Sequence, residues 1–135
     1  MTRDRESESV ASLTLDTGAL VAFERGSPRM RALVDEARRR HALLVIPICV
    51  VAQAWRDGAT QTRLASLLKS DLVRFAGLDL ATAKAAGELC GRRATADVVD
   101  ALVVLVARRH GRVVATSDPG DLRRLDPELR VVAVD

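Results

Sequence analysis

Short apolar runs alternate along the chain with longer segments that repeat apolar positions at helical spacing. The short runs predict strands over Ser12–Leu15, Leu43–Ile46, Leu72–Ala76, Val113–Thr116 and Val131–Val134. The longer segments predict helices over Thr17–Arg25, Pro28–Arg40, Pro47–Arg56, Thr60–Lys69, Leu80–Arg92, Asp97–His110 and Pro119–Leu125. Strands that alternate with helices favour a three-layer α/β fold, in which helices cover both faces of a mostly parallel sheet of four to five strands.

Proline and glycine mark several of the predicted helix ends. Pro28, Pro47 and Pro119 each suit the first position of a helix, where a missing N–H costs nothing. Gly58 and Gly111 suit the residue just past a helix end.

The length of 135 residues suits one domain, which we expect over residues 10–135 after a flexible N-terminal tail at residues 1–9. A composition of 48% hydrophobic and 29% charged residues is typical of a globular chain. The longest apolar stretch, Ala42–Ala52, contains Pro47 and is too short to span a membrane. The polar start lacks the apolar segment of a signal peptide, so we expect a cytoplasmic protein with no membrane contact.

Arginine supplies nearly all of the positive charge, because only Lys69 and Lys84 among the 21 basic residues are lysines. Arginine binds phosphate through paired hydrogen bonds, which favours a nucleic-acid partner, although a GC-rich genome would give the same excess. Aromatic residues are only 2% of the chain, which excludes a stacking platform for bases. Cys49 and Cys90 lie far apart with no CxxC motif, so neither a zinc site nor a disulfide framework is expected.

Aspartates cluster where a parallel sheet would bring them to one edge. Asp16 ends the first predicted strand, while Asp118 and Asp121 follow the fourth. Asp97 and Asp100 lie in the first turns of the helix that leads into the fourth strand, and their spacing of three puts them on one helix face. Because strands of a parallel sheet end at the same edge, where the helices begin, we expect all these carboxylates there.

Most of these aspartates also have a structural interpretation, as helix caps or as first-turn acids that complement the helix dipole. Asp100 does not fit it, because its helix is apolar nearly all round and should be buried. A buried carboxylate needs a partner, and carboxylates gathered without cations repel one another. A divalent cation would offset that repulsion, and oxygen-only ligands favour Mg²⁺ or Mn²⁺.

Motifs for several competing activities are missing. The sequence contains neither GxGxxG nor GxxxxGK[ST], and Ser117 has no GxSxG context. A receiver-like phospho-aspartate signalling domain would also place acids at strand ends, but the lysine expected at a later strand end is missing, which makes it the weaker alternative.

Four segments together resemble a known family. LTLDTGAL, IPICVVAQAWR, DVVDALVVLVA and VVATSDPGDL occur in the order and spacing of the PIN-domain nucleases, over about residues 12–134. Within that family the chain resembles the small, single-domain VapC-type toxins of type II toxin–antitoxin pairs. The resemblance implies an endoribonuclease that depends on Mg²⁺ or Mn²⁺ and cleaves RNA phosphodiesters with an activated water.

The resemblance also assigns the acidic residues. Asp16 matches the aspartate of the first strand, Asp100 the helix aspartate, and Asp118 the acidic residue after the fourth strand, which implies that these three hold the metal. Asp97 is an additional catalytic acid on the same helix face, and Asp121 matches a frequent extra acid.

Small polar residues match the family beside these acids. Thr116 and Ser117 correspond to the polar residues next to the site, and Thr17 follows the first aspartate, where the family often has Ser or Thr.

One position departs from the family pattern. Gln53 stands where the family usually has a glutamate, so it offers a neutral oxygen without charge or basicity. Asp57, one turn further along, is a possible substitute. The alternative function is therefore a catalytically impaired PIN-like binding module.

The resemblance finally implies partners. These are an RNA substrate, a cognate VapB-like antitoxin that holds the toxin inactive, and a second copy of the chain in a homodimer.

Overall fold

The computed structural model describes residues 11–134, and the flexible tail predicted at residues 1–9 lies outside them. The strands are β1 (Ser12–Leu15), β2 (Leu43–Pro47), β3 (Val73–Ala76), β4 (Val113–Thr116) and β5 (Arg130–Ala133). The helices are α1 (Thr17–Glu24), α2 (Pro28–Arg40), α3 (Ile48–Ala54), α4 (Thr62–Leu68), α5 (Leu80–Arg93), α6 (Val98–Arg109) and α7 (Pro119–Leu125).

The strands form one parallel sheet in the order β3-β2-β1-β4-β5, with β1 at its centre. The chain moves from β1 outward to β3, then crosses back to β4 and continues outward to β5. Because parallel crossovers are right-handed, these two directions place α1–α4 on one face and α5–α7 on the other. The predicted three-layer α/β fold is confirmed.

The strand order also distinguishes the predicted PIN-like fold from the alternative of a receiver-like domain. Receiver domains have the order 2-1-3-4-5, whereas this sheet has the order 3-2-1-4-5. The alternative of a receiver-like domain is therefore wrong.

Local sequence signals explain where the helices begin and end. Pro28 is the first residue of α2, and the hydroxyl of Ser27 accepts the N–H of Met30 at 3.1 Å as a cap. The helix ends where His41 turns to the left-handed region at φ 56°. In α6 the apolar residues surround nearly the whole helix, and Val103 is fully buried against the sheet.

Both predicted ends of the helix over Pro47–Arg56 are wrong. Pro47 ends β2, where it pairs with Ala76, and it precedes α3 instead of lying inside it. The helix α3 ends at Ala54, so Gly58 does not lie just past a helix end. The ring of Trp55 explains the glycine, since a Cβ at position 58 would lie 2.9 Å from its Cζ2.

Within residues 11–134, the longest helix is α5 with 14 residues, and none is long and apolar enough to cross a membrane.

Candidate active site

Asp16 and Asp118 lie at the carboxyl ends of β1 and β4, which are paired neighbours at the centre of the sheet. The side chain of Asp16 is nearly buried, and its Oδ1 accepts the N–H of Ala19 at 2.9 Å, which caps α1. Asp118 precedes α7 but makes no side-chain cap hydrogen bond, and it is exposed. The cap interpretation therefore holds for Asp16 and fails for Asp118.

The beginning of α6 brings a second pair of carboxylates to the same edge. Asp97 caps this helix, since its Oδ1 accepts the N–H of Asp100 at 3.0 Å. Asp100 and Asp121, from the first turn of α7, project into one small cavity of about 70 Å³. The cavity is lined by Thr95, Asp97, Asp100, Asp121, Arg124 and Leu125.

Mutual repulsion is strongest at Asp100. Burial, a hydrogen bond to the carboxyl of Asp97 and the charges of Asp97, Asp16 and Asp121 raise the pKa of Asp100 to about 7. The expectation that Asp100 is fully buried is wrong, because the first turn of α6 opens into the cavity and leaves the side chain half-buried. The expected repulsion among carboxylates at this edge is present.

The other acids are coupled in the same way. Burial raises the pKa of Asp16 against hydrogen bonds from Thr116 and Ala19, and the charge of Asp118 raises it further. A hydrogen bond with Asp118, together with its charge, raises the pKa of Asp121. The aspartates of β1, α6, β4 and α7 thus form one electrostatic group.

The donor chemistry of this group fits a hard divalent cation, because all its side-chain ligands are carboxylate oxygens that repel one another. Asp16, Asp100 and Asp118 would hold it, with Asp97 and Asp121 beside them. Within residues 11–134, no three of these side chains already surround one point at ligand distance.

The predicted polar neighbours lie around these carboxylates. Thr116 is buried, and its hydroxyl oxygen accepts the N–H of Asp118 at 2.9 Å while the side chain also bonds to Asp16. It therefore links the two strand ends. The hydroxyl of Thr17 donates to the amide oxygen of Gln53, which brings α3 to the beginning of α1.

Gln53 is thus bonded to the residue that directly follows Asp16 in the chain. The side chain of Gln53 is nevertheless exposed. Asp57 has a different role, because its Oδ1 accepts the N–H of Ala59 at 2.9 Å and stabilises the turn after α3.

Sequence reasoning missed a close contact that fixes the geometry of the edge. A Cβ at Gly18 would lie 2.0 Å from Oγ and 2.9 Å from Cβ of Ser117, so the first turn of α1 packs directly on the residue before Asp118. Its only sequence signal is a glycine two residues after a strand-ending aspartate. Thr95 in the cavity lining was also missed, since it lies in a segment without a motif.

Three solved structures of other proteins have a fold similar to that of this chain. The VapBC2 structure from Rickettsia felis, bound to a promoter DNA fragment, matches with a TM-score of 0.67 and 14% identity over 92% of this chain and 99% of that one. VapC20 of Mycobacterium tuberculosis, a sarcin–ricin loop cleaving toxin, matches with a TM-score of 0.61 and 20% identity over 76% and 86%. FitAcB from Neisseria gonorrhoeae matches with a TM-score of 0.62 and 20% identity over 88% and 95%.

No curated protein matches the chain by sequence. The family model described as "PIN domain" matches residues 13–127, which include every aspartate of the candidate site. The match covers most of the chain, and the architecture agrees with it. The protein therefore belongs to the PIN domain family.

Proposed function

We propose that the protein is a metal-dependent endoribonuclease and the toxin of a toxin–antitoxin pair, active in the cytoplasm. Membership of the PIN domain family supports nuclease chemistry. The likeness to VapBC2 and to VapC20, a sarcin–ricin loop cleaving toxin, supports the toxin assignment and an RNA substrate.

The observation that carries the proposal is the electrostatic coupling of aspartates from four separate elements at one sheet edge. Burial and its acidic neighbours raise the pKa of Asp100 to about 7. Such a cluster lowers the stability of the fold, and strongly shifted pKa values of this kind are typical of functional sites. Arg124 is the one cation among the residues that line the cavity, and it bonds to Asp121 at 3.2 Å. The remaining negative charge favours a bound cation.

The chain's own residues have distinct roles in the proposed hydrolysis, in which water adds to phosphorus and a P–O bond breaks. Asp16, Asp100 and Asp118 would bind the divalent ion, which when bound polarises a phosphoryl oxygen and lowers the pKa of water. Asp97 fixes the beginning of α6 and so orients Asp100. Thr116 holds the backbone of Asp118 and the carboxylate of Asp16 in register.

Cleavage of total RNA by the purified protein, with Mg²⁺, Mn²⁺ or EDTA, tests the proposal. We expect cleavage with either metal and none in EDTA. Asp16→Asn and Asp100→Asn should each abolish cleavage while the protein stays folded, because asparagine keeps the shape of the side chain and can still cap α1 at position 16.

Asp71→Asn is the matched control, since Asp71 is exposed and lies at the opposite end of β3 from the site. This variant should cleave like wild type. Full activity in Asp16→Asn would refute the site, and activity that is unchanged in EDTA would refute metal dependence.

The impaired binding module is the second candidate, because Gln53 occupies the position of the usual glutamate and already bonds to Thr17. Wild type that binds RNA but cleaves none at any concentration of Mg²⁺ or Mn²⁺ would favour it.

We propose a VapB-like antitoxin and a homodimer as the protein's assemblies. Exposed apolar side chains at Leu78 and Leu80, just after β3, give the surface area that a partner protein could cover. Co-expression with a cognate VapB-like antitoxin should suppress cleavage and give a larger complex by light scattering. A strictly monomeric protein at micromolar concentration would contradict the homodimer.

A further inference from the structure

A second cleft is lined by arginines, of which Arg108 lies in the last turn of α6 and Arg112 just before β4. It has a volume of about 410 Å³ and is lined by Arg93, Arg108, Arg112, Asp126, Pro127 and Glu128. Its walls continue those of the acidic cavity along the chain. Arg93 precedes Thr95 by two residues, and Asp126 directly follows Leu125, where Thr95 and Leu125 line the acidic cavity.

Asp126 holds two of these arginines side by side. Its side chain is only 5% exposed, and its Oδ2 accepts from Nε of Arg108 at 2.9 Å and pairs with Nη1 of Arg112 at 3.5 Å. Its Oδ1 accepts the N–H of Glu128 at 2.9 Å. Both oxygens of Asp126 are thus engaged, while each guanidinium keeps most of its five N–H donors for another partner.

One arginine is enough to neutralise the buried carboxylate of Asp126, but three arginines line the cleft. Arg112 is held at φ 64°, an unfavourable backbone region for a residue with a side chain, between Ala107 and Arg130. Arg93, from the end of α5, makes no ion pair with the residues described at 11–134. Glu128 is the other carboxylate in the lining, so the cleft is net positive.

We propose that this arginine cleft binds a backbone phosphate of the RNA on one side of the cleaved bond. The inference rests on the proposed function for the identity of the polyanion. Guanidinium groups held in a fixed orientation suit the paired oxygens of a phosphate. The acidic cavity repels phosphates, so the binding energy for RNA must come from cationic surface, and the arginine cleft offers such a surface on segments that continue from the lining of the cavity.

RNA binding in EDTA tests the proposal without cleavage, using anisotropy of a labelled 20-nucleotide single strand across a range of salt concentrations. Arg93→Gln and Arg112→Gln should each weaken binding about fivefold and lower the slope of log Kd against log salt by about 0.7. Arg93→Gln removes an exposed side chain and leaves the Asp126 ion pairs in place, so it reports on binding even if Arg112→Gln perturbs folding.

Arg38→Gln is the matched control, because it makes the same change in net charge on α2, where Arg38 pairs with Asp35 at 3.4 Å. It should bind RNA like wild type. Equal losses in Arg38→Gln and Arg93→Gln would overturn the proposal in favour of general charge attraction, and so would wild-type binding in both cleft variants.

Two further measurements test whether the bound phosphate belongs to RNA and whether the proposed nuclease function holds. Inorganic phosphate should compete poorly with the RNA, whereas tight phosphate binding that is lost in Arg93→Gln without a change in RNA affinity would overturn the RNA assignment. For a cleaved 20-nucleotide RNA, Arg93→Gln should raise KM and leave kcat unchanged. Arginine-dependent binding without cleavage by wild type would refute the proposed nuclease but leave the phosphate cleft standing.

Discussion

Replacing Asp100 by asparagine should stabilise the metal-free protein, and the gain should grow as the pH rises from about 4 to about 7. Asn is nearly the same shape, and its amide can still donate to the carboxylate of Asp97. The folded protein holds the pKa of Asp100 at about 7, against an ordinary value of 3.8, so it binds more protons than the unfolded chain between these two values. The free energy of unfolding of wild type therefore falls as pH rises through that window.

The shift in pKa corresponds to about 4 kcal/mol if it were fully expressed in stability. Asp100 is half-buried, and solvent screening reduces this to about 2 kcal/mol. We therefore expect Asp100→Asn to raise the free energy of unfolding by about 2 kcal/mol at pH 8 and to leave it almost unchanged at pH 4.

Urea unfolding in EDTA at pH 4, 6 and 8 measures this difference for wild type, Asp100→Asn and the exposed control Asp71→Asn. The control should show no pH-dependent gain. A gain for Asp100→Asn that is equal at pH 4 and pH 8 would refute the reasoning, because a pH-independent effect cannot come from an ionised carboxylate. Saturating Mg²⁺ should stabilise wild type more than Asp100→Asn, which reverses the comparison.

Three other substitutions test other parts of the site. Gln53→Glu should tighten Mg²⁺ binding in calorimetric titration by adding a charged oxygen beside the cluster, and an affinity equal to that of wild type would place residue 53 outside it. Gly18→Ala should displace Ser117 and reduce cleavage more than tenfold, because a shift of about 1 Å at a catalytic site has effects of this size. Adding Ser117→Gly to this variant should restore cleavage, and failure of the rescue would contradict the packing argument. Thr14→Val should raise the free energy of unfolding by about 1 kcal/mol, since the fully buried Thr14 hydroxyl has no partner within residues 11–134. Thr116→Val should lower the free energy of unfolding, and a lower melting temperature for both variants would refute the distinction.

The fold could be predicted because its signals are local. Pro28 and Pro119 begin α2 and α7 as expected, and β1 and β4 have the predicted bounds. The error at Pro47 has a physical cause, because proline is tolerated on an unpaired strand edge, and Pro47 lies beyond the residues of β2 that pair with β1 while it still pairs with Ala76. That pairing is a tertiary contact that no local pattern records.

The site was predictable to the extent that topology determines it. A parallel sheet brings Asp16 and Asp118 to one edge whatever the details of packing. The roles of these aspartates stay predictions. The contact between Gly18 and Ser117 joins positions about a hundred residues apart, and the orientation of Arg108 by Asp126 needs the geometry of a loop after α7. Such contacts follow from the packed structure and leave no periodic signal in the sequence.

The pairing of β1 with β4 sets an order of events during protein synthesis. Asp16 emerges early, but its neighbours at the sheet edge belong to α6 and to the segment after β4, near the end of the chain. At about 5–20 residues per second, translation from the first strand to the fourth takes roughly 5–20 s. During that interval a nascent chain has a single aspartate of the cluster in place, so the candidate site is incomplete while the polypeptide is growing. The proposed nuclease activity would therefore arise only after the segment that follows β4 has been synthesised and folded.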